Sequence, residues 1–231
     1  MNNFFIVATP IGNLQDFSFR ALETLKNADL ILCEDTRVTK KLLDFYKIGK
    51  PLLSYHQHSK LQKINYILDL LREGKNIALV SDAGTPGISD PGNLLIREVV
   101  EKLGEKVKII PVPGPSAVIT AASISGFPMD RFLFLGFPPA KRKRQKFFKE
   151  VLESKYPVIF YESPYRILKT LKELQLTIGD KQQETRIVVA RELTKKFETV
   201  YRGNIEEVLS KIERDKILGE FVIIVGKQKS A

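Results

Sequence analysis

IALVSDAGTPGISDPG, residues 77 to 92, sets the fold class. It opens with an apolar run short enough to be a buried strand, and the periodic pattern after residue 92 reads as a helix that stops at Gly104. Asp90 reads as the helix cap and Pro91 as its first residue. A strand, a tight loop and a helix in that order form the repeating unit of a parallel α/β sheet. The loop packs Gly84, Gly87, Gly92, Pro86 and Pro91 into residues 81 to 92. Its glycines can take backbone conformations closed to other residues, and its prolines stiffen it. In open α/β sheets ligands bind beyond the carboxyl ends of strands, which is where this loop falls. Taken alone it also reads as a long structural turn. It lacks the GK[ST] of a triphosphate loop and is not a GxGxxG fingerprint. A ligand with a purine, a ribose and a sulfonium but no phosphate suits such a loop, which offers backbone hydrogen bonds and an apolar wall.

The same unit recurs on both sides of this stretch. FFIVA (4 to 8), LILC (30 to 33), LLSYH (52 to 56) and VKIIPV (107 to 112) read as further strands. Between them, residues 59 to 72 place Leu61, Ile64, Leu68 and Leu71 on one helical face, with Ser59 as a cap and Gly74 as a stop. Two more loops, ATPIGN (8 to 13) and VPGPSA (112 to 117), follow the first and fifth strands. All three loops are therefore expected at one edge of a parallel sheet. Each alone is an ordinary strand-to-helix turn, and their convergence is the internal sign of a binding site.

After VPGP a helix begins near Ser116, and a second α/β set follows. We place the domain boundary here, with an N-terminal domain at 1 to 114 and a C-terminal domain at 115 to 231. Strands are expected at RFLFLGF (131 to 137), VIFY (158 to 161), RIVVAR (186 to 191), ETVYRG (198 to 203) and FVIIVG (221 to 226). Several lie close together without an intervening helix, so this sheet is expected to be mixed. Asn204 and Glu207 have capping-box spacing ahead of VLSKI.

The chain of 231 residues is 43% hydrophobic, enough for a sizeable core, and carries a formal charge of +10. Residues 1 to 115 hold 15 basic and 13 acidic side chains, whereas residues 116 to 231 hold 22 and 14. The second half is the basic one, which favours polyanions without requiring them. Its densest segment, KRKRQKFFK (141 to 149), surrounds Phe147 and Phe148 with cations. Lys141, Arg142, Lys143 and Arg144 are candidate phosphate contacts for a polyanion, with Phe148 and Leu152 turned to the core; a solvated helix start is the plainer reading. Cys33 is the one cysteine, so an internal disulfide and multi-cysteine zinc sites are excluded. The N-terminus lacks a signal-peptide pattern and no apolar run approaches a membrane span, so a soluble cytoplasmic protein is expected.

Read in order, ATPIGN, CEDTR (33 to 37), YHQHS (55 to 59), SDAGTPGISDPG, VPGPSA, FYESPYR (160 to 166), ARELTKKFE (190 to 198) and GEFV (219 to 222) resemble the ribosomal RNA small subunit methyltransferase I family across nearly the whole chain. The resemblance implies the tetrapyrrole methylase fold: two α/β domains, a mainly parallel N-terminal sheet, a mixed C-terminal one, and a cofactor cleft between them. It also implies 2′-O-methylation of a cytidine in the decoding region of 16S RNA by S-adenosylmethionine, on free RNA or the 30S subunit. A homodimer is implied as well.

By the same resemblance, Pro10, Ala83, Gly84, Thr85 and Ile88 match cofactor-binding positions of the N-terminal loops. Ser116 and Ala117 match the small pair after VPG. Tyr161 and Glu162 match the end of a C-terminal-domain strand, and Arg191, Glu192 and Leu193 complete the adenosine pocket, with Glu220 and Phe221 next to it. Thr85 stands where the superfamily's usual GGDPxxxG carries aspartate, which weighs against a corrin or porphyrin substrate. Many family members continue past GEFV into a small helical tail, whose RNA contacts the segment from 141 to 149 would have to supply here.

Transfer of a methyl group to a ribose hydroxyl needs alignment and removal of a proton. Asp35, at the end of the second strand, is a candidate base and Arg37 a phosphate clamp, with Asp82 the other candidate carboxylate. Glu34 and Asp35 equally suit helix capping. His56 and His58 alternate on one strand. They read as RNA contacts, His58 above all, or as a surface pair, and two histidines without a third ligand give no metal site. Lys195 and Lys196 face RNA or solvent. Two rival readings stand: a methyltransferase acting on a small tetrapyrrole-like substrate, and a non-catalytic RNA-binding assembly factor.

Overall fold

The computed structural model describes residues 2–56, 61–179 and 184–227. The chain forms two compact units, Met1–Ser116 and Ala117–Ala231. Among the described residues no helix is long and apolar enough to cross a membrane.

The first unit is built on five strands: β1 (Asn2–Val7), β2 (Leu30–Cys33), β3 (Leu52–Ser54), β4 (Ile77–Val80) and β5 (Val107–Val112). They lie in the order β3-β2-β4-β1-β5, with every pairing parallel. β4 is buried at all four positions because helices cover both faces of the sheet. Alternation along the strands sorts the core. Phe4, Leu32, Ile77 and Leu79 pack on one face with α3 (Leu61–Arg72) and α4 (Asn93–Leu103). Val7, Ile31, Cys33, Ala78 and Val80 pack on the other with α1 (Phe19–Asn27) and α2 (Thr36–Phe45). The neighbouring strands β1 and β4 thus send their following helices to opposite faces, which makes their carboxyl ends a topological switch point.

Three expectations need correction here. α4 starts at Asn93, after Asp90 and Pro91; its cap is Gly92 at φ 147°, a value that favours glycine. A Cβ on Gly92 would sit 3.0 Å from Leu79, so the loop must pass close over β4 before the helix can begin. Leu61 is exposed, as the first residue of α3 lies beyond the packed face, and Ile67 joins Ile64, Leu68 and Leu71 in the core. β3 ends at Ser54, although Tyr55 still donates its N–H to the Cys33 carbonyl at 2.7 Å.

In the second unit α5 (Ala117–Ser123) precedes β6 (Leu133–Phe134), α6 (Arg144–Glu153), β7 (Val158–Glu162), α7 (Ile167–Ile178), β8 (Thr185–Arg191), β9 (Thr199–Gly203), α8 (Ile205–Glu213) and β10 (Phe221–Lys227). The sheet order is β6-β7-β10-β8-β9, parallel between β6 and β7 and antiparallel elsewhere, the mixed sheet expected. β6 is much shorter than RFLFLGF suggests. It is an edge strand, and Gly136 at φ 62° with Pro138 turns the chain away. α6, α7 and α8 cover one face, where Phe148, Phe160, Leu171, Ile187, Val208 and Ile223 form the core. The capping box of α8 is present: Glu207 N–H donates to Asn204 Oδ1 at 2.9 Å, and Asn204 N–H to Glu207 Oε2 at 3.2 Å.

Phe160 is fully buried at the centre of this core, so Phe160→Ala should cost about 3–5 kcal/mol by denaturant titration. Phe197→Ala, at an exposed ring, should stay within about 0.5 kcal/mol.

Candidate active site

The three loops of the first unit meet as their placement predicts. Thr9 and Gly84 form an isolated antiparallel bridge, with Thr9 N–H to Gly84 carbonyl at 2.9 Å and Gly84 N–H to Thr9 carbonyl at 3.1 Å. Gly84 is at φ 83°, and a Cβ there would lie 3.5 Å from Ile11 and 3.8 Å from the Pro115 carbonyl. Thr9 Oγ1 donates to the Ser81 carbonyl at 3.0 Å, Ser81 Oγ to the Gly84 carbonyl at 3.1 Å, and Thr85 Oγ1 to the Pro115 carbonyl at 3.4 Å. Gly84 therefore works as a joint between loops, since its own backbone groups already have partners. Pro10 is buried beside it, while Ala83 and Ile88 face solvent and Thr85 and Ser116 are half-buried. Ile88, 48% exposed on a loop at the switch point, is an apolar surface with no core to cover it.

At the neighbouring strand end, Asp35 caps α2 by accepting from Arg37 N–H at 2.8 Å. The Arg37 guanidinium closes on both carboxylate oxygens, its contacts spanning 2.6 to 3.2 Å. These hydrogen bonds pull the Asp35 pKa down from 3.8 to about 2. Asp35 thus serves as the helix cap that its position also suited, with its carboxylate paired to Arg37. Arg37, itself exposed, is occupied as the partner of Asp35. Asp82 is exposed, and its Oδ1 accepts the Asp35 N–H at 3.1 Å, tying the ends of β2 and β4 together. That link was not legible in the sequence, since its partners lie 47 residues apart.

In the second unit Phe221 stands in register with Glu162 on one side and Arg191 on the other, so three of the motifs share one sheet edge. Glu162 is 1% exposed, and its carboxylate is fully engaged. It accepts from Ser163 N–H at 2.8 Å, Arg166 Nε at 2.8 Å and Thr170 Oγ1 at 2.6 Å. This side chain holds α7 to β7. The same network overturns Arg144 as an RNA contact. Arg144 is 6% exposed, donating to Glu173 at 2.7 Å, Thr170 Oγ1 at 2.8 Å and the Pro139 carbonyl at 3.0 Å. Lys141, Arg142 and Lys143 remain exposed, and Phe147 is buried together with Phe148. His58 lies outside the described residues.

Tyr161 packs against Phe134 and Phe137 at ring distances of 5.0 and 5.4 Å. Arg191 is bound to Asp215 and the Lys216 carbonyl, yet its Nε is buried without an acceptor among the described residues. A buried donor left open in this way suits an acceptor brought by a ligand. Leu193 is buried. Glu192 takes φ 53°, strained for a residue with a side chain, and accepts from Lys195 Nζ at 2.8 Å and Glu220 N–H at 3.0 Å. Lys195 also reaches Glu220 at 2.9 Å, so it is an ion-paired brace for the loop. These carboxylates hold the Lys195 ammonium above its ordinary pKa against the opposing effect of burial.

Residues 3–209 match the family described as Tetrapyrrole (Corrin/Porphyrin) Methylases. A Thermotoga maritima protein named Ribosomal RNA small subunit methyltransferase I is 44% identical over 99% of this chain and 100% of its own length. The chain belongs to this family. The protein of the same name from Mycoplasmopsis pulmonis is 45% identical over 97% of each chain, and that from Bacillus subtilis 44% over 97% of this chain and 75% of its own. Among solved structures, the methyltransferase CobJ superimposes with a TM-score of 0.70 at 16% identity, covering 100% of this chain and 98% of that one. Cobalt precorrin-4 methyltransferase gives 0.65 at 20%, covering 97% and 94%. At those identities the two show a shared fold.

Two outcomes test these assignments. Because the folded pKa of Asp35 is depressed, the stability its pairing contributes is present above about pH 3.8 and is lost as pH falls through about 2. Carboxyl NMR titration should find that midpoint near 2 and find it raised in Arg37→Ala. Arg144→Ala, which removes the buried guanidinium and its bonds to Glu173 and Thr170 but leaves Lys169 beside Glu173 and Glu162 beside Thr170, should cost roughly 2–3 kcal/mol, against about 0.5 or less for Lys141→Ala in thermal denaturation.

Proposed function

We propose that this protein uses S-adenosylmethionine to methylate the 2′-hydroxyl of a cytidine ribose in the decoding region of 16S ribosomal RNA. The supporting observation is the 44–46% identity, over 96% or more of the chain, to proteins named Ribosomal RNA small subunit methyltransferase I. Thr85 in place of the aspartate usual in the fold's loop and the exposed cations Lys141, Arg142 and Lys143 support RNA over a tetrapyrrole. A cytoplasmic homodimer acting on 16S RNA or the 30S subunit fits the same reading.

The residues present suit the cofactor. Pro10, Ala83, Thr85 and Ile88 with Ser116 and Ala117 supply small and apolar contacts, and Gly84 holds the loops that carry them. In the second unit Tyr161 supplies a ring, Leu193 and Glu192 backbone near the strand end, and Arg191 Nε an open donor for a carboxylate or a purine nitrogen. When bound, the sulfonium supplies an electrophilic methyl group. The chain's own residues would have to align the ribose hydroxyl with that methyl group and take up the hydroxyl proton. Asp82, exposed at the end of β4 beside the Asp35–Arg37 pair, is a carboxylate suited to accept that proton or to orient the hydroxyl. Arg37 keeps exposed N–H groups for a phosphate while paired to Asp35.

The test is incubation with methyl-labelled S-adenosylmethionine and either undermodified 30S subunits or free 16S RNA, followed by nucleoside mass spectrometry. Labelled 2′-O-methylcytidine is expected, and cofactor binding without label in RNA would overturn the substrate. Asp82→Asn should lower the turnover rate by about a hundredfold or more while leaving cofactor affinity within about twofold.

A further inference from the structure

The second unit contains a pocket of about 830 Å³ that none of the motifs above touches. It lies at the end of the sheet opposite Glu162 and Arg191, around the starts of β7 and β8 and the ends of β9 and β10. Thr185 lines it and Arg191 ends the same strand, so about 20 Å of β8 separates the two places. The volume is within the range of small-ligand sites, roughly 300–1,000 Å³.

Its lining is one-sided in charge. Arg131, Lys155, Arg186, Arg202 and Lys227 face a single acid, Asp130. Apart from half-buried Arg186, these cations are exposed, so the charge stands at the mouth. Two of them are positioned by an aromatic ring. The Lys155 ammonium sits 5.0 Å and the Arg131 guanidinium 5.8 Å from the Tyr156 ring centre, and Arg131 also donates to the Tyr156 hydroxyl at 3.1 Å. Arg202 is fixed by donating to the Ile124 carbonyl at 2.7 Å.

The floor is apolar. Phe127, Leu152 and Pro157 line it over the strands. Gly226 makes room for Phe127, since a Cβ there would meet the ring at 2.7 Å, so any larger residue would push this wall out. An apolar floor with a ring in it, under a rim of cations, matches a nucleotide: a base below and phosphates above. The last turn of α6 supplies Val151 and Leu152 to the pocket, while Lys146 and Lys149 are exposed on the same helix. The segment that begins at Lys141 and the pocket are thus joined by roughly 15 Å of helix.

We propose that this pocket is a second contact for the RNA substrate, taking an unstacked single-stranded nucleotide away from the reacting ribose. It anchors the RNA, with Phe127 receiving the base and Lys155, Arg202 and Lys227 the phosphates. This rests on the ribosomal RNA reading and adds a place on the surface that the reading does not supply.

The test compares wild-type protein with the triple variant Lys155→Ala, Arg202→Ala, Lys227→Ala. Binding to undermodified 16S RNA and to 30S subunits is measured over a series of salt concentrations, with S-adenosylmethionine affinity by calorimetry alongside. The variant should bind RNA about tenfold more weakly at low salt and show a salt slope shallower by about 2, one single-strand phosphate contact being worth about 0.7, with cofactor affinity unchanged. Independently, wild-type protein crosslinked to 4-thiouridine-substituted 16S RNA should carry nucleotide adducts on peptides containing Phe127 or Tyr156. Wild-type affinity and slope in the variant, or crosslinks confined to peptides outside the pocket, would overturn the inference while leaving the methylation reading intact. A wild-type protein that neither binds nor methylates RNA would remove both.

Discussion

The pair of backbone hydrogen bonds between Thr9 and Gly84 is the constraint on which the N-terminal site depends. β1 and β4 are neighbours in the sheet, but their helices leave to opposite faces, so nothing in the helix layers holds the two loops together. The bridge does, and the hydroxyls of Thr9 and Ser81 satisfy the carbonyls around it. Buried backbone polar groups must be paired, so the loops can meet only in a register that pairs them. Gly84 is required because the chain must take a positive φ there with Ile11 and Pro115 close by. Once the joint is made, the residues that flank it, Asp82, Ala83 and Ile88, are the ones left exposed at the strand ends.

A different constraint organises the C-terminal unit. Glu162 and Arg144 are both nearly fully buried, and buried charges persist only with partners. Thr170 connects them, accepting from Arg144 and donating to Glu162, while Arg166 and Glu173 complete the set. The start of the basic segment is thereby tied to the strand end that carries FYESPYR. Charge in this unit is sorted by burial: Arg144, Glu162 and Arg191 are structural to different degrees, whereas Lys141, Arg142 and Lys143 are left for a partner. Of the three buried ones, only Arg191 keeps an unpaired donor among the described residues, and that makes it the member best suited to a ligand.

The sequence by itself determined the order of strands and helices, the parallel character of the first sheet and the mixed character of the second. It also located the three loops and the capping box at Asn204 and Glu207. Each of these rests on local spacing: apolar periodicity, glycine and proline at turns, and a cap three residues from its partner. Short edge elements read less well. RFLFLGF is apolar enough for a long strand, yet with a neighbour on one side only it pairs over two residues before Gly136 turns it. The start of α4 was misplaced because Asp90 and Pro91 have the right local chemistry, while the passage of Gly92 over Leu79 is a tertiary fact.

What only the tertiary structure decided was the fate of each charge. Asp35 has the composition of a base and of a cap alike; it accepts the Arg37 backbone N–H as a cap while the Arg37 guanidinium closes on both its oxygens. Arg144 looks like its basic neighbours in the sequence, but its partners Thr170 and Glu173 lie 26 and 29 residues away on α7. The pocket at the far end of the second sheet draws its lining from five separated stretches between Ser125 and Lys227, none of which carries one of the motifs of the family resemblance. Spacing along the chain reports backbone conformation, whereas burial and pairing of a charge depend on which distant element is packed against it, and that is settled only when the helices close on the sheet.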